Sequence, residues 1–236
     1  STDLINIGKV NNRGFEVNIG TSNRFGNLVW NASVNFSTNK NKVIELGPGN
    51  ADIINSGSVA NAYFITRVGE PIGSYFLPKV LGVFATQADV DAYPHFMDAA
   101  SNFGLATTKP GDFKFWDADG DGKINLTSDR TIIGSYQPKY TFGFATDLQW
   151  KGFDFSVALQ GVNGNKILNL GRRYFYNHEG NMNNYAGAVN RWKSESDPGS
   201  GKNARANRVG KGQNGITSSW HVEDGSYLRI RNITLG

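Results

Sequence analysis

Alternate aspartates in the middle of the chain have the spacing of a cation-binding loop. Asp117, Asp119 and Asp121 stand two residues apart, Gly122 follows at the sixth place, and Ile124 is the apolar residue at the eighth. In a calcium loop of the EF-hand type, alternate carboxylates converge on a hard cation, glycine permits the sharp turn, and the seventh residue offers its backbone carbonyl. The spacing therefore predicts a calcium site, with a structural rather than a catalytic role.

The end of this acidic loop departs from the EF-hand pattern. Its twelfth place, where a bidentate carboxylate is expected, is Ser128, and Asp129 follows one residue later. No amphipathic helix pattern flanks the loop, so we do not expect a calmodulin-like helix pair. Within an EF-hand-like loop over residues 112–130, the predicted ligands are Asp117, Asp119, Asp121, the Lys123 carbonyl, Asn125 (directly or through water) and Asp129. The alternative is an Asp/Gly-rich turn whose side chains hydrogen-bond their own backbone.

The composition indicates a mixed, solvated surface and disfavours several classes of protein. Among 236 residues there are 24 Lys or Arg, 20 Asp or Glu and no cysteine, which removes disulfides, thiolate catalysis and cysteine metal sites. Although the net charge is +4, no basic helix, finger or run of like charges occurs, so nucleic acid is not an expected partner. His95, His178 and His221 are far apart, and HExxH and GxSxG spacings are missing, so we expect no enzyme.

Alternation of apolar and polar residues marks strands with one apolar face. The predicted strands run over residues 15–19, 28–36, 59–68, 74–84, 140–150, 153–159 and 225–235. The side chains expected on one continuous outer face are Phe15, Val17, Trp30, Val34, Phe36, Phe142, Phe144, Phe155 and Val157. A short helix is expected near residues 87–93. A bulge is expected near Arg231–Asn232, because Leu228 and Ile230 otherwise face away from Ile233 and Leu235.

The connections between these strands alternate in length. The short turns cover residues 23–27, 69–73 and 151–152, and the long loops cover 40–58, 85–134 and 163–221. Up-and-down strands place all short turns at one end and all long loops at the other, as in an outer-membrane β-barrel. Aromatic residues near the short turns suit an interfacial girdle; they are Phe25, Trp30, Trp150 and Phe153. The alternative is a soluble β-sandwich, in which the apolar face packs against a second sheet.

The long loop over residues 163–221 interleaves basic and aromatic side chains. Flat apolar rings beside forked polar donors are what a sugar- or peptide-binding surface uses. The first candidates for contact with a substrate or partner are Arg172, Arg173, Tyr174, Tyr176 and Trp192. The alternative is that the aromatic side chains pack the loop against its neighbours.

Five segments in a fixed order resemble the C-terminal part of the barrel in SusC/RagA-family TonB-dependent outer-membrane transporters. They are NIGKVNNRGFEVNI at Asn6–Ile19, VGEPIGSYF at Val68–Phe76, GDFKFWDADGDGKINLTSDRTIIGSYQPKYTFGF at Gly111–Phe144, KGFDFSVALQGVNGNKILN at Lys151–Asn169, and VEDGSYLRIRNITLG at Val222–Gly236. Together these segments span nearly the whole chain. The acidic loop is one residue longer than the usual version in the family.

This resemblance, with the strand pattern, implies an all-β fold: an antiparallel up-and-down transmembrane β-barrel portion of about seven strands with short periplasmic turns and long extracellular loops. Residues 1–236 are then a partial barrel, without the plug domain and the earlier and final strands. The family implies the Gram-negative outer membrane and import of oligosaccharides or peptides. Expected partners are a SusD-like surface lipoprotein, TonB through the missing N-terminal part, and outer-membrane lipid. The alternative is a soluble secreted β-domain that binds calcium and glycan.

Overall fold

The computed structural model describes residues 8–57, 62–96, 107–176, 178–180, 183–208 and 212–236. In chain order the strands are β1 (Lys9–Phe25), β2 (Leu28–Glu45), β3 (Ile53–Ser56), β4 (Tyr63–Thr66), β5 (Ser74–Pro78), β6 (Val80–Val83), β7 (Phe113–Phe115), β8 (Arg130–Gly134), β9 (Tyr140–Trp150), β10 (Phe153–Asn163), β11 (Lys166–Leu168), β12 (Val222–Asp224) and β13 (Tyr227–Leu235). The α-helices are α1 (Gln87–Asp91) and α2 (Gly171–Phe175). Short 3-10 helices cover Pro48–Asn50, Ala186–Asn190, Gln213–Gly215 and Ser219–His221.

The longest strands form one antiparallel sheet in the order β1-β2-β9-β10-β13. Two-residue turns join β1 to β2 and β9 to β10, and long connections join β2 to β9 and β10 to β13. In the short turns φ is 62° at Gly26, 49° at Lys151 and 90° at Gly152, the left-handed values that tight hairpins use. Because the strands alternate in direction, both short turns lie at one end of the sheet and both long connections at the other.

One face of this sheet is apolar and exposed. The observed register puts all nine residues predicted for the outer face on one side, with Val17 opposite Phe36, Phe36 opposite Phe142, and Val157 opposite Ile233. Ile19, Val34 and Ile233 remain 65%, 46% and 59% exposed. The opposite face carries mainly polar and small residues, among them Asn31, Ser33, Asn35, Asp147, Ser156 and Thr234. The predicted apolar face is therefore confirmed, and it is not buried as a sandwich interior would be.

Aromatic side chains lie at both ends of the apolar face. At the short-turn end Phe25, Trp150 and Phe153 are exposed, as predicted. At the other end, rings of three strands meet, with centroids 5.7 Å apart for Phe15 and Phe36 and 5.5 Å apart for Phe36 and Tyr140; this second group was not predicted. Ten residues of β9 separate the two ends, or about 33 Å along the strand and about 25 Å along the membrane normal at the usual barrel tilt. That height matches the apolar band of an outer-membrane barrel.

Two local predictions are confirmed. Helix α1 lies inside the expected range. In its capping box the Thr86 side chain accepts the Asp89 N–H, and the Asp89 side chain accepts the Thr86 N–H. In the pairing of β10 with β13, Ala158 faces Asn232 and Leu159 faces Ile230, which leaves Arg231 as the extra residue of a bulge. The bulge returns Leu228 and Ile230 to the apolar face. In the described part of the chain, no helix is long and apolar enough to cross a membrane.

Two predicted strands do not join the main sheet, which therefore has five strands here instead of seven. Residues 63–66 (β4) and 74–78 (β5) belong to a separate four-stranded sheet in the order β3-β4-β5-β8, and β6 pairs with β7. Residues 58–61, the beginning of the predicted strand over 59–68, lie outside the described residues. The weak alternation of these segments fits strands buried on both faces, since β5 is buried throughout.

The predicted loop over residues 40–58 and the turn over 69–73 are also corrected. Strand β2 continues to Glu45 because β1 remains paired with it back to Lys9, and β3 follows within the same range. The turn lies beside the distal part of β2, where the Gly69 N–H donates to the Val43 carbonyl and the Ile72 N–H donates to Asn41 Oδ1. It is therefore part of the long connection and not a third short turn.

A hydrophobic core cluster lies among the long connections. Its buried members are Phe96, Phe113, Phe115, Ile124 and Ala204, with Val80, Val83, Leu126, Ile216 and Trp220 packed around them. Residues from both long connections contribute to this cluster. The two connections thus fold together at one end of the sheet.

Candidate functional site

The acidic loop connects β7, in which Phe113 and Phe115 are buried, to β8. Ile124, the apolar residue at the eighth place of the loop, is buried in the core cluster. Because Ile124, in the middle of the loop, packs into this core, the loop is more restrained than an ordinary surface turn.

Three of the predicted ligands converge. One carboxylate oxygen from each of Asp117, Asp119 and Asp129 lies within 4.8 Å of the others. Asp129 is 1% exposed, whereas Asp119 is exposed. The structure therefore places Asp129 beside Asp117 and Asp119, and its role as the last calcium ligand stays a prediction. Three negative charges held this close repel each other unless a cation or hydrogen-bond donors compensate them.

Backbone N–H groups donate to these carboxylates. Gly120 and Gly122 donate to Asp117 Oδ1 and Oδ2 at 2.8 and 2.9 Å, and Ala118 donates to Asp129 Oδ1 at 2.7 Å. Both glycines have positive φ, 75° and 78°, which allows the chain to curl around the Asp117 side chain. Because these aspartates hydrogen-bond the backbone of their own loop, the turn interpretation also has support; a carboxylate with about four lone-pair sites can accept such bonds and still bind a cation.

Among the remaining predicted ligands, Asp121 lies outside the group of three converging carboxylates. Asp121 Oδ1 accepts the Lys123 N–H at 2.8 Å, and Asn125 Oδ1 accepts the Thr127 N–H at 2.7 Å. The Asn125 N–H itself donates to Asp129 Oδ2. These side chains shape the loop, and the converging oxygens come from Asp117 and Asp119, at the first and third places of the loop, and from Asp129 at its end.

The two arginines predicted to contact a substrate hold the second long connection in place. Arg172 on α2 lies over the Trp220 ring, 4.0 Å from its centroid, and its Nη1 is 3.5 Å from Glu223. Burial lowers the pKa of Arg172 from its ordinary value. Arg173 Nη1 donates to the Gly215 carbonyl at 2.6 Å. Both guanidinium groups are engaged within the loop, and their contact with a substrate or partner stays a prediction.

Trp192 is an anchor between the two long connections. Its Nε1 donates to the Ala85 carbonyl at 3.0 Å. Its ring covers Gly111, where an added Cβ would come within 2.5 Å of the ring and where φ is 88°. A side chain at residue 111 is therefore excluded twice, by the positive φ and by the indole. Trp192 thus packs between the two connections, and its contact with a substrate or partner stays a prediction.

An aromatic patch remains at the surface of this connection; we use that name for Tyr174, Phe175, Tyr176 and Tyr185. The Tyr185 ring lies 5.0 Å from the Phe175 ring and 5.2 Å from the Tyr176 ring, and Tyr185 is 52% exposed. Tyr174 and Tyr176 were among the first candidates, whereas Phe175 and Tyr185 were not. No periodicity in the sequence distinguishes these exposed rings from buried ones, because the segment is mostly irregular.

His221 is a buried group whose role the sequence did not indicate. It is fully buried, its ring stands edge-on to Trp220 with centroids 5.0 Å apart, and its Nδ1 accepts the Ser218 N–H. Burial, with Arg172 and Arg173 nearby, lowers the pKa of His221 to about 4. The imidazole is therefore neutral at pH 7, and its ring packs inside the second long connection, which joins β10 to β13.

Known proteins with similar sequences are TonB-dependent receptors. Receptors P26 and P3 of Formosa agariphila are 31% and 34% identical over 242 and 249 residues, covering all of this chain and 23% and 22% of the receptors. The receptor SusC of Bacteroides thetaiotaomicron is 26% identical over 239 residues, covering 98% of this chain and 21% of SusC. The resemblance to SusC/RagA-type transporters is confirmed. No family model matches the chain.

Solved structures of SusC/RagA type share the fold. The RagAB peptide transporter superposes with a TM-score of 0.69 at 19% identity, over 98% of this chain and 23% of that chain. The RagAB peptide importer in its "closed-closed" state gives 0.68 at 20% identity, with the same coverage. The antiparallel barrel-type fold is thus confirmed, and the similarity to TonB-dependent receptors confirms the Gram-negative outer-membrane localisation. The chain spans less than a quarter of the length of the curated relatives it matches.

Proposed function

We propose that this chain forms part of the wall and the external loops of an outer-membrane importer that moves oligosaccharides or peptides into the periplasm. The main sheet carries the proposal. Its apolar face is exposed and has aromatic side chains at both ends of the strands. Such a face is stable against lipid and costly against water. The names of the similar receptors and transporters support the same class of activity.

The connection lengths supply the orientation. Outer-membrane barrels have short periplasmic turns and longer external loops. The turns at Gly26–Asn27 and Lys151–Gly152 would then face the periplasm, while the acidic loop and the aromatic patch face outward. On this orientation the long connections are the surface that meets a substrate and a SusD-like lipoprotein. TonB would act through a part of the transporter outside this chain.

We also propose calcium as a structural ion of the acidic loop. The donor set fits a hard cation, because Asp117, Asp119 and Asp129 converge and carboxylate oxygens are what calcium prefers. Asp121, Asn125 and the Lys123 carbonyl are within the same loop and complete the candidate set. When bound, the ion would neutralise the converged carboxylates and rigidify the loop. No step of transport is assigned to it.

A soluble calcium- and glycan-binding domain is the second candidate, and the acidic loop with the aromatic patch is what favours it. Against it stands the exposed apolar face, because soluble proteins rarely leave so large a contiguous apolar surface in water.

Membrane fractionation of the intact protein separates the two candidates. We expect it to stay with the outer membrane after washing with salt and carbonate and to enter solution only with detergent. Uptake of labelled oligosaccharides and peptides, with and without TonB, then tests the activity and the substrate class. Release of the protein into buffer as a monodisperse species would support the soluble domain and refute the importer.

A further inference from the structure

A buried polar cluster joins the two long connections; we name it the clasp and define it as Thr108, Asp112, Phe113, Arg205, Gln213 and Asn214. Asp112 is 2% exposed, and Arg205 Nε and Nη2 donate to its two oxygens at 2.7 and 3.3 Å. Asn214 Nδ2 donates to Asp112 Oδ1 at 2.8 Å. A buried carboxylate is tolerated only with such partners, so separating the connections would leave an uncompensated charge.

The same cluster satisfies the backbone of β7. The Phe113 N–H donates to Asn214 Oδ1 at 2.8 Å, and the Phe113 carbonyl accepts from Gln213 Nε2 at 2.9 Å. Gln213 Oε1 in turn accepts from the Thr108 hydroxyl at 2.8 Å. Two side chains of the second connection thus replace a neighbouring strand for Phe113. Loss of either would leave buried backbone groups without partners.

The turn that carries Asn214 also holds the base of the aromatic patch. Its Gly215 carbonyl accepts from Arg173 of α2 at 2.6 Å, and the Asn214 N–H donates to Glu179 Oε1 at 3.2 Å. On the other side, β7 leads directly into the acidic loop, whose Ile124 shares a core with Phe113. Asn214 therefore stands between the acidic loop and the aromatic patch.

We propose that the clasp makes the two long connections one cooperative unit, in which Asn214 is the positioning residue that sets the aromatic patch relative to the acidic loop. Segments that share buried hydrogen bonds and a core open together. A change that weakens the clasp beside the aromatic patch therefore also increases opening of the acidic loop. A change beside the acidic loop likewise increases opening of the aromatic patch. The proposal goes beyond transport and requires no bound cation, so it can fail or succeed independently of the proposed function.

Hydrogen exchange of the intact transporter in detergent, with chelator present, tests this coupling. Asn214→Asp keeps the size of the side chain and the acceptor for Phe113 but replaces the donor to Asp112 by a second carboxylate. We expect exchange to rise about tenfold or more in residues 117–129 and in residues 170–176, since a buried donor is lost. Asn190→Asp, the same change at an exposed asparagine of this connection, should leave both segments unchanged.

Arg173→Met provides a variant that leaves the buried polar cluster itself intact. It removes the hydrogen bond to Gly215 while keeping the aliphatic part of the side chain. We expect faster exchange in residues 170–176 and, by a smaller factor, in residues 117–129. The second segment lies in the connection between β2 and β9, whereas Arg173 lies in the one between β10 and β13. Exchange that changes in one segment only, or in neither, in these variants would overturn the proposal.

Discussion

Asp129 closes the acidic loop one residue after the place that the EF-hand pattern assigns to the last carboxylate. It reaches back to the Ala118 and Asn125 N–H groups, so its two oxygens organise both ends of the loop. Asp119, by contrast, is exposed, and its Oδ1 accepts the Asp121 N–H at 3.2 Å. Individual carboxylates of the same loop therefore differ in what their removal should do.

Asp119→Asn should weaken calcium binding without unfolding the loop. It removes one of the three converging charges, and we expect the dissociation constant to rise about tenfold or more in a calorimetric titration. Asp121→Asn, at a candidate ligand outside the converging group, should cost less. No calcium-linked heat in the unchanged protein, or an unchanged dissociation constant in Asp119→Asn, would contradict the proposed site.

The low pKa of His221 predicts that the second long connection, which joins β10 to β13, becomes less stable as the pH falls. Its folded pKa, about 4, lies below the ordinary value near 6.5. Between these pH values the opened connection binds a proton that the folded one does not, so stability falls as the pH falls through this window. The full difference corresponds to about 3 kcal/mol.

Hydrogen exchange of residues 212–224, corrected for the intrinsic effect of pH, measures this dependence. We expect protection to decrease between pH 7 and pH 4.5. His221→Gln should lower protection at pH 7 and remove most of its slope with pH. A slope that persists in this variant would show that another group titrates.

At the scale of elements, β2 illustrates why the strand pattern is informative. It is paired on both sides, by β1 and β9, and its alternate side chains go to opposite faces. Val34 belongs to the exposed apolar face and Asn35 to the polar one. A charge should therefore have very different effects at these neighbouring positions.

Val34→Arg should destabilise the folded barrel in lipid by about 2–4 kcal/mol, the cost of a cationic side chain near the middle of the membrane. Asn35→Arg, one residue further along the same strand, should cost much less because it faces away from lipid. Urea unfolding of the transporter in vesicles would measure both. Equal costs for the two variants would mean that the apolar face does not contact lipid.

At the scale of the whole molecule, the two long connections form one cap at one end of the sheet. Their shared core and the clasp leave the aromatic patch as an exposed apolar surface of this cap. Arg172, Arg173 and Arg205 of the second long connection are engaged in contacts within the cap. Contact with a partner or substrate is therefore better tested on the rings than on the arginines.

The double change Phe175→Ser with Tyr185→Ser should weaken association with a SusD-like lipoprotein. Exposed aromatic anchors often contribute about 2 kcal/mol or more to an interface, so co-purification should fall by at least about tenfold. Tyr136→Ser, which removes an exposed ring from another part of the chain, is the control. Undiminished co-purification and uptake would leave the patch with no role in either.

The sequence by itself determined the apolar face and the two short turns of the main sheet, although not its number of strands. Strand β9 has the predicted bounds, nine side chains share the predicted face, and the bulge at Arg231 follows from a reversal of the alternation. These features are local, because a strand with one apolar face repeats every two residues and a tight turn needs positive φ at particular positions. The spacing of Asp117 and Asp119 is local in the same sense.

Only the tertiary structure decided how the long connections fold. Buried strands such as β5 lack alternation, so nothing in their own residues shows whether they join the main sheet or a second one. The engagement of Arg172 and Trp192 within the cap, and the pairing of Asp112 with Arg205, depend on residues about 50 to 110 positions away in the chain. A contact between distant residues is set by the packing of everything between them, and it leaves no pattern in either segment.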